Sequence, residues 1–275
     1  MVLDSAAPTP CASIVRPRDR DWHTLLIERR TVDPEIAIHE YVDDFGNHVW
    51  RWTTPAGTMR LRYDALIETP PGREPLHENL PGTFVDRLPD DVLLYTLPSR
   101  YCPSDLAMND AWRLFGDTPD GSARVQAICD WAHQNIEYGY GNSNSTTSGF
   151  EAFQAGRGVC RDFAHIGVMF CRAMNIPARY ACGYLPDIDV PYNPTPMDFH
   201  AWFEAFLDGE WRTYDARHNT PRIGRVLIAR GRDAVDAAFL TSYGLSNLTG
   251  FTVWSDQVDD ATTLDDPLLQ HEVPQ

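Results

Sequence analysis

Residues 156–177 read GRGVCRDFAHIGVMFCRAMNIP and carry the clearest structural pattern of the chain. Apolar residues recur at helical spacing through residues 160–174, and Pro177 follows shortly after, so the sequence predicts a buried helix that begins at Cys160. The glycines before it let the backbone approach a ligand closely. A thiol at a helix start feels the positive end of the helix dipole, which we expect to lower its pKa. Cys160 is therefore the candidate nucleophile.

A second informative stretch is FHAWFEAFLDGEWRTYDA at residues 199–216. It reads as two strands joined by Asp208 and Gly209, a pair that favours a tight hairpin turn. In such a hairpin His200 and Asp215 lie near the outer ends of adjacent strands and can meet. A nucleophilic thiol needs a base, and the base needs a third group that orients it. We therefore predict a catalytic set of cysteine, His200 as base and Asp215 as orienting residue.

The rest of the chain divides into segments of different character. Residues 22–68 alternate apolar and polar side chains, which predicts antiparallel strands. Residues 69–100 are rich in proline and glycine and are interpreted as an irregular connector. Helical patterns dominate after it and precede the strands that carry the histidine and the aspartate. The predicted fold class is α+β, with a β-rich domain over residues 1–100, a catalytic domain over residues 101–255 and an acidic tail over residues 256–275.

The overall composition excludes several classes of function. The chain has 275 residues, with 23 Lys and Arg against 39 Asp and Glu, so its net charge is −16. This charge repels phosphate backbones and anionic lipids, and no nucleic-acid or membrane partner is expected. We see neither an apolar run of about 20 residues nor a signal-peptide pattern at the start, which predicts a cytoplasmic protein. The six scattered cysteines are expected to be reduced thiols, and no spacing indicates a metal site or a cofactor.

Two quoted stretches match a known family pattern. GVCRDFAHIGVMFCRAMNIPARYACGYLP and HAWFEAFLDGEWRTYDA resemble the bacterial transglutaminase-like domain, in which a cysteine caps a helix, an H-x-W-x-E strand follows, and a W-x-x-Y/F-D strand ends on an acid. The resemblance extends over roughly residues 25–255 and includes the β-rich part that precedes this module in many bacterial members. It implies a papain/transglutaminase-like core after an antiparallel β domain. It assigns the same roles to Cys160, His200 and Asp215.

The resemblance also implies a reaction. Members of the family share attack of a thiolate on an amide carbonyl to give a thioester, which water or an amine then resolves. We favour a cysteine-dependent hydrolase of peptides, proteins or peptide-like amides, with transglutaminase-type transfer to an amine as the first alternative. A non-catalytic binding module that keeps the fold is the second alternative. No acidic loop resembles the calcium sites of animal transglutaminases, and the sequence leaves the oligomeric state open.

Further candidate residues surround the predicted catalytic set. A side chain that helps to bind the oxyanion is sought among Tyr138, Tyr140, Asn142 and Gln154, with Asn142 and Gln154 as the preferred choices. Trp202 is expected to pack within the hairpin, with a substrate contact or a shielding role as alternatives.

Several other conspicuous residues are expected to have structural roles. His165 has a poor spacing for facing the thiol and is interpreted as a core histidine. Asp162 is interpreted as an acid that stabilises the helix start. Buried positions or structural ion pairs are expected for Cys129, Cys171, Cys182, Arg230, Arg232 and Asp233.

Overall fold

The computed structural model describes residues 1–19, 21–191, 195–259 and 262–265. The longer helices of this part are α1 (Asp90–Leu93), α2 (Met108–Phe115), α3 (Ser122–Asn135), α4 (Gly149–Ala155) and α5 (Cys160–Ala173). The strands are β1 (Val2–Ser5), β2 (Thr9–Ser13), β3 (Thr24–Asp33), β4 (His39–Val42), β5 (His48–Thr54), β6 (Gly57–Glu68), β7 (Glu137–Tyr138), β8 (Arg157–Gly158), β9 (Ala178–Tyr184), β10 (His200–Leu207), β11 (Glu210–Tyr214), β12 (Val226–Gly231), β13 (Thr241–Ser242) and β14 (Ser246–Gly250).

Two antiparallel sheets form the β-rich part of the molecule. One has the strand order β14-β1-β6-β3 and the other the order β13-β2-β5-β4. Apolar side chains from both sheets share one core, because Leu3 and Met59 of the first sheet pack with Cys11, Trp50 and Trp52 of the second. The alternation along these strands therefore buries one face of each sheet against the other.

A third sheet, with the order β11-β10-β9-β12, carries helix α5 on one face. Gly167 of the helix lies so close to Phe203 of β10 that a Cβ atom there would come within 2.4 Å of the Phe203 Cε1 atom. The missing side chain lets the helix approach the strand. This contact sets the helix that begins at Cys160 over the strand that begins at His200.

The hairpin of β10 and β11 follows the predicted design. Leu207 pairs with Glu210, and Asp208 and Gly209 form the two-residue turn with φ values of 51° and 80°. Positive φ at both positions is the geometry of a type I′ turn, which Asp-Gly favours. The two strands therefore pair around the expected centre.

The helix boundary that matters for the site agrees with the prediction. Helix α5 begins at Cys160, as predicted. Helix α3 buries Val125, Ile128 and Cys129 on one face, and helix α2 spans Met108 to Phe115 after turns at residues 104–107.

The strand pairing does not follow the predicted linear division of the chain. Strands β13 and β14, which lie before residue 255, pair with β2 and β1 of the β-rich part. Residues 241–250 therefore complete the N-terminal sheets, because an edge strand can be supplied from anywhere in the chain. The proposed acidic tail over residues 256–275 falls largely outside the described residues. The domain division itself stays a prediction.

Helices packed on antiparallel sheets confirm the predicted α+β class. Within the described ranges of the chain, none of the helices is both long and apolar enough to cross a bilayer.

Candidate active site

The thiol of Cys160 lies where helix α5 meets the start of strand β10. The residue before it, Val159, is extended, and its N–H donates to Asp162 Oδ2 at 2.8 Å. Asp162 thereby stabilises the helix start, as predicted. The Cys160 sulfur is 3.8 Å from the Phe199 carbonyl oxygen, and the backbone N–H of Ala201 donates to it. The nucleophile candidate is thus held against the strand that carries the histidine.

His200 and Asp215 form a direct contact beside the thiol. His200 Nε2 is 2.7 Å from Asp215 Oδ2, and each residue is only 8% exposed. Burial alone raises the pKa of Asp215, but His200 and Arg225 outweigh it and hold the pKa well below its ordinary value. An ionised carboxylate only accepts hydrogen bonds, so Nε2 carries the proton. Nδ1 is then the basic nitrogen of the ring.

Further donors fix the carboxylate of Asp215 in place. Arg225 Nη2 donates to Oδ2 at 3.1 Å, and the backbone N–H groups of Arg217 and His218 donate to Oδ1 at 3.1 and 3.0 Å. Glu74 binds Arg225 in turn, with 2.5 Å between Oε1 and Nε. Glu74 lies in the connector, which places a charged residue of the β-rich half behind the orienting acid.

A second histidine lies against the first. The ring centroids of His200 and His218 are 4.7 Å apart. His218 Nδ1 accepts hydrogen bonds from Arg217 and Arg222 at 3.2 and 3.3 Å, so the ring proton is on Nε2. Burial lowers the pKa of His218 to about 3. His218 is therefore a neutral donor whose free N–H is Nε2.

The same residues make a poor metal site. Ligand atoms of His200, Asp215 and His218 lie within 4.8 Å of one another. However, Arg225 donates to the Asp215 carboxylate, and two more guanidinium groups donate to His218. Their positive charges oppose a cation, and their N–H groups occupy the lone pairs that a metal would need. The cluster fits a proton-transfer site better than a metal centre.

A cavity of about 650 Å³ opens over the thiol. Cys160 and His200 both line it, together with the aromatic side chains of Tyr138 and Tyr140 and the guanidinium of Arg217. This volume suits a small organic group or a peptide segment. The nucleophile and base candidates therefore face a common space.

Burial decides the resting charge of the pair. It raises the pKa of the Cys160 thiol to about 11, although the N–H groups of Ala201 and Arg161 act in the opposite direction, while Asp198 adds to the increase. Burial also lowers the pKa of His200, against the opposing effect of Asp215. The expectation of a lowered thiol pKa is wrong, because loss of solvent outweighs the helix start. The resting state is a neutral thiol beside a neutral imidazole.

Comparison with known proteins identifies the family. The model of the transglutaminase-like superfamily matches residues 112–216. A candidate cysteine protease of Cytophaga hutchinsonii is 34% identical, with a TM-score of 0.82 over 94% of this chain and 90% of that one. The chain belongs to the transglutaminase-like superfamily. An uncharacterised protein of Mycobacterium leprae (strain TN) is 28% identical over 81% of both chains.

These findings support cysteine-based catalysis at the level of the family. The periplasmic domain of TgpA from Pseudomonas aeruginosa is also similar, at 17% identity and a TM-score of 0.41 over 78% of this chain and 89% of that domain. The match to the Cytophaga hutchinsonii protein confirms the transglutaminase-like fold that the sequence predicted, with a helix packed on an antiparallel sheet.

Three predicted accessory residues lie away from the cavity of this transglutaminase-like chain. Gln154 is exposed on helix α4, and Asn142 Nδ2 contacts the Glu137 carbonyl oxygen at 3.4 Å. Trp202 is fully buried, with the guanidinium of Arg225 at 4.5 Å from its ring. Its side chain lies on the same face of β10 as that of His200, because residues two apart in a strand point to the same side, and the two ring centroids are 6.3 Å apart. None of the three residues lines the cavity, so these positions do not favour a contact with a substrate there.

The structural roles proposed for other residues agree with their contacts. His165 is fully buried, stacks on Tyr101 and accepts a hydrogen bond from the Ala234 N–H at 3.2 Å. Arg230 binds Glu204 through two nitrogen atoms. Ion pairs or backbone contacts likewise engage Arg232 and Asp233.

Sequence reasoning missed several site residues of this transglutaminase-like chain. Cys182, interpreted as a core residue, is only half-buried and lines the cavity with Cys160. The arginines around Asp215 were not singled out either, although RHNTPRIGR at residues 217–225 is a dense basic run in an acidic chain. This local excess of positive charge directly after Asp215 could have indicated that arginines surround the acid. Nothing near Glu74 in the sequence indicates its partner.

Proposed function

We propose that the chain is a cysteine-dependent amide hydrolase of peptidase type that acts through a thioester. Cys160 is the nucleophile, His200 the base and Asp215 the residue that orients the histidine. The observation that carries this proposal is the 2.7 Å contact of His200 Nε2 with Asp215 beside a cavity that Cys160 also lines. It leaves Nδ1 as the base on the cavity side.

The first half of the reaction starts from the neutral pair. As the Cys160 sulfur attacks the amide carbon, its proton passes to His200 Nδ1, an S–C bond forms, and the carbonyl electrons move onto oxygen. Asp215 stabilises the imidazolium that results. The tetrahedral intermediate then expels the amine, which takes the proton from His200 as the C–N bond breaks. A thioester on Cys160 remains.

The second half returns the enzyme to its starting state. Water loses a proton to His200 Nδ1 and attacks the thioester carbon. The C–S bond then breaks, the acid product leaves, and the sulfur takes the proton back. The developing oxyanion in both halves needs fixed donors, and the backbone N–H of Cys160 at the helix start is suited to supply one.

Acyl transfer to an amine is the second candidate, and Asp198 is the observation that favours it. Asp198 lies in the lining of the cavity, close enough to raise the pKa of Cys160. Among the described residues no basic side chain forms an ion pair with it. A carboxylate in this position suits an ammonium group that arrives as acyl acceptor. Adding putrescine during turnover and measuring the amide product against the acid product separates the two reactions.

The proposal is tested with a proteome-derived peptide pool as substrate. The intact protein is incubated with the pool and its mass is measured for a covalent adduct on Cys160, while peptide products are followed in parallel. Cys160→Ala is the control for folding and binding. Products and an adduct that both depend on Cys160 support the hydrolase.

The non-catalytic alternative makes the opposite prediction. If Cys160→Ala and the native chain give the same peptide profile, and no adduct forms, the chain is a binding module that has kept the fold. The cytoplasmic location and the peptide-like substrates remain proposals, supported by the free thiols and by the family.

A further inference from the structure

Three arginines line the cavity, and they differ in their partners. Arg161 is 3.3 Å from Asp162, and Arg222 is 3.2 Å from Asp187. Across the described residues, no carboxylate lies within 4 Å of the Arg217 guanidinium. Arg217 therefore brings a charge to the cavity wall that the protein itself does not neutralise.

Arg217 is nevertheless held in place. Its guanidinium carbon lies 3.8 Å from the ring centroid of Tyr138, and its Nη1 donates to His218 Nδ1 at 3.2 Å. The backbone of the same residue is fixed as well, since its N–H donates to Asp215 and its carbonyl oxygen contacts His133 at 2.9 Å. An aromatic ring and a neutral imidazole orient a cation without cancelling its charge.

The neighbourhood favours a planar anion with a single charge. A guanidinium matches a carboxylate with two parallel hydrogen bonds. The neutral His218, with its proton on Nε2, adds a further donor close by. A dianionic phosphate would need more positive charge than one unpaired arginine offers, because Asp187 and Asp198 also line the cavity.

We propose that Arg217 binds a free carboxylate of the acyl donor, so that the preferred substrates are amides whose acyl part is acidic. This inference rests on the proposed function, because it names the substrate class of that site. It also runs against the bulk charge of −16, which favours neutral or cationic substrates at long range. Arg217 therefore attracts the acidic group only over the short distances within the cavity, whereas the net charge of the protein acts at long range.

The charge of small alkylating reagents tests this subsite without knowledge of the substrate. Cys160 is alkylated with iodoacetate, which carries a carboxylate, and with iodoacetamide, which is neutral and of similar size. The ratio of the two rate constants is measured by peptide mass mapping, which separates Cys160 from Cys182. We expect this ratio to exceed that of free glutathione and to fall about tenfold in Arg217→Gln. Taking a ratio removes any change in the reactivity of the thiol itself.

Two further variants sharpen the alkylation test. Arg217→Lys keeps the charge but loses the two parallel donors, so its ratio should lie between those of the native chain and Arg217→Gln. Arg113→Gln removes an exposed arginine of helix α2 and should leave the ratio unchanged. An unchanged ratio in Arg217→Gln, or native Cys160 that reacts with iodoacetamide but not with iodoacetate, overturns the proposal.

Protection of the thiol gives an independent readout at equilibrium. Glutarate should slow iodoacetamide labelling of native Cys160, and Arg217→Gln should need about tenfold more glutarate for the same protection. Glutaramide, the neutral analogue, is the control. Equal protection by inorganic phosphate would overturn the assignment to a carboxylate. Adduct formation with the peptide pool reports on Cys160 chemistry alone, so failure of the subsite and failure of the proposed function remain distinguishable.

Discussion

Glu204 and Asp215 are both buried carboxylates on the same hairpin sheet, but they have different partners. Glu204 of β10 is held by Arg179 and Arg230, at 2.5 and 2.8 Å. Asp215, directly after β11, shares its charge between Arg225 and His200. Burial raises the pKa of each acid, but the adjacent positive groups hold the pKa of both below the ordinary value.

The difference lies in what the partners can do. Arginine stays protonated at all relevant pH values, so the Glu204 cluster has a fixed charge and only stabilises the fold. Histidine can gain and lose a proton, and the ring of His200 also lines the cavity. A buried carboxylate thus becomes part of a reactive site only where one of its partners can titrate and reach a ligand.

The largest expected effect is on turnover, which should fall when Asp215 is changed but not when Glu204 is changed. In Asp215→Asn, the two backbone N–H groups on Oδ1 should keep the amide oxygen on their side, so the amide NH₂ group faces His200. Nε2 must then accept, and the ring proton moves to Nδ1, where the base is needed. Turnover of a cleaved peptide should fall about 10³–10⁴-fold. Glu204→Gln should keep turnover within about threefold of the native value, and equal losses in both variants would erase the distinction.

The next effect is on the free energy of unfolding, to which the Glu204 cluster should contribute. Glu204→Gln leaves two buried guanidinium groups without their shared carboxylate, so the free energy of unfolding should fall by about 3–5 kcal/mol. Urea denaturation measures this loss. Glu210→Gln, which removes an exposed acid from the same hairpin, should change stability by less than about 0.5 kcal/mol. A loss below about 1 kcal/mol in Glu204→Gln would show that this cluster does not stabilise the fold.

The pH profile tests the titratable partner directly. His200 must be neutral to act as base, and burial lowers its pKa, so kcat/KM should fall about tenfold per pH unit only below a midpoint that lies under 6.5. Burial raises the pKa of the Cys160 thiol to about 11, which predicts a plateau from about pH 7 to 10. A second titration within that plateau would indicate a resting thiolate instead.

The smallest expected effect concerns Asp198 beside the thiol. Its charge adds to the raised pKa of Cys160, so Asp198→Asn should lower that pKa. The shift should stay below about one unit, because the carboxylate is exposed and screened by water. The rate of iodoacetamide labelling against pH measures it, with Asp110→Asn on helix α2 as a distant control. An unchanged midpoint of the labelling profile would mean that the Asp198 carboxylate does not affect the pKa of the Cys160 thiol.

Local patterns predicted the elements that carry the candidate site. The helix from Cys160 and the hairpin around Asp208 and Gly209 follow from periodicity and turn chemistry over a few neighbouring residues. Strands β1, β2, β13 and β14 were not predicted, because short edge strands contain too few residues for a clear alternation. The two preferred oxyanion candidates, Asn142 and Gln154, are not among the residues that line the cavity around Cys160, and their proposed role stays a prediction.

The sequence by itself determined where the nucleophile, base and acid candidates lie, because each is placed by a local element with its own pattern. Their surroundings became visible only in the folded structure. Glu74 and Arg225 meet across 151 positions of the chain, and no local signal encodes such a contact. The charge of the Cys160 thiol also depends on burial, which arises when the helix packs on the sheet and water leaves. Long-range packing therefore determined the electrostatics of a site whose residues were visible in the sequence.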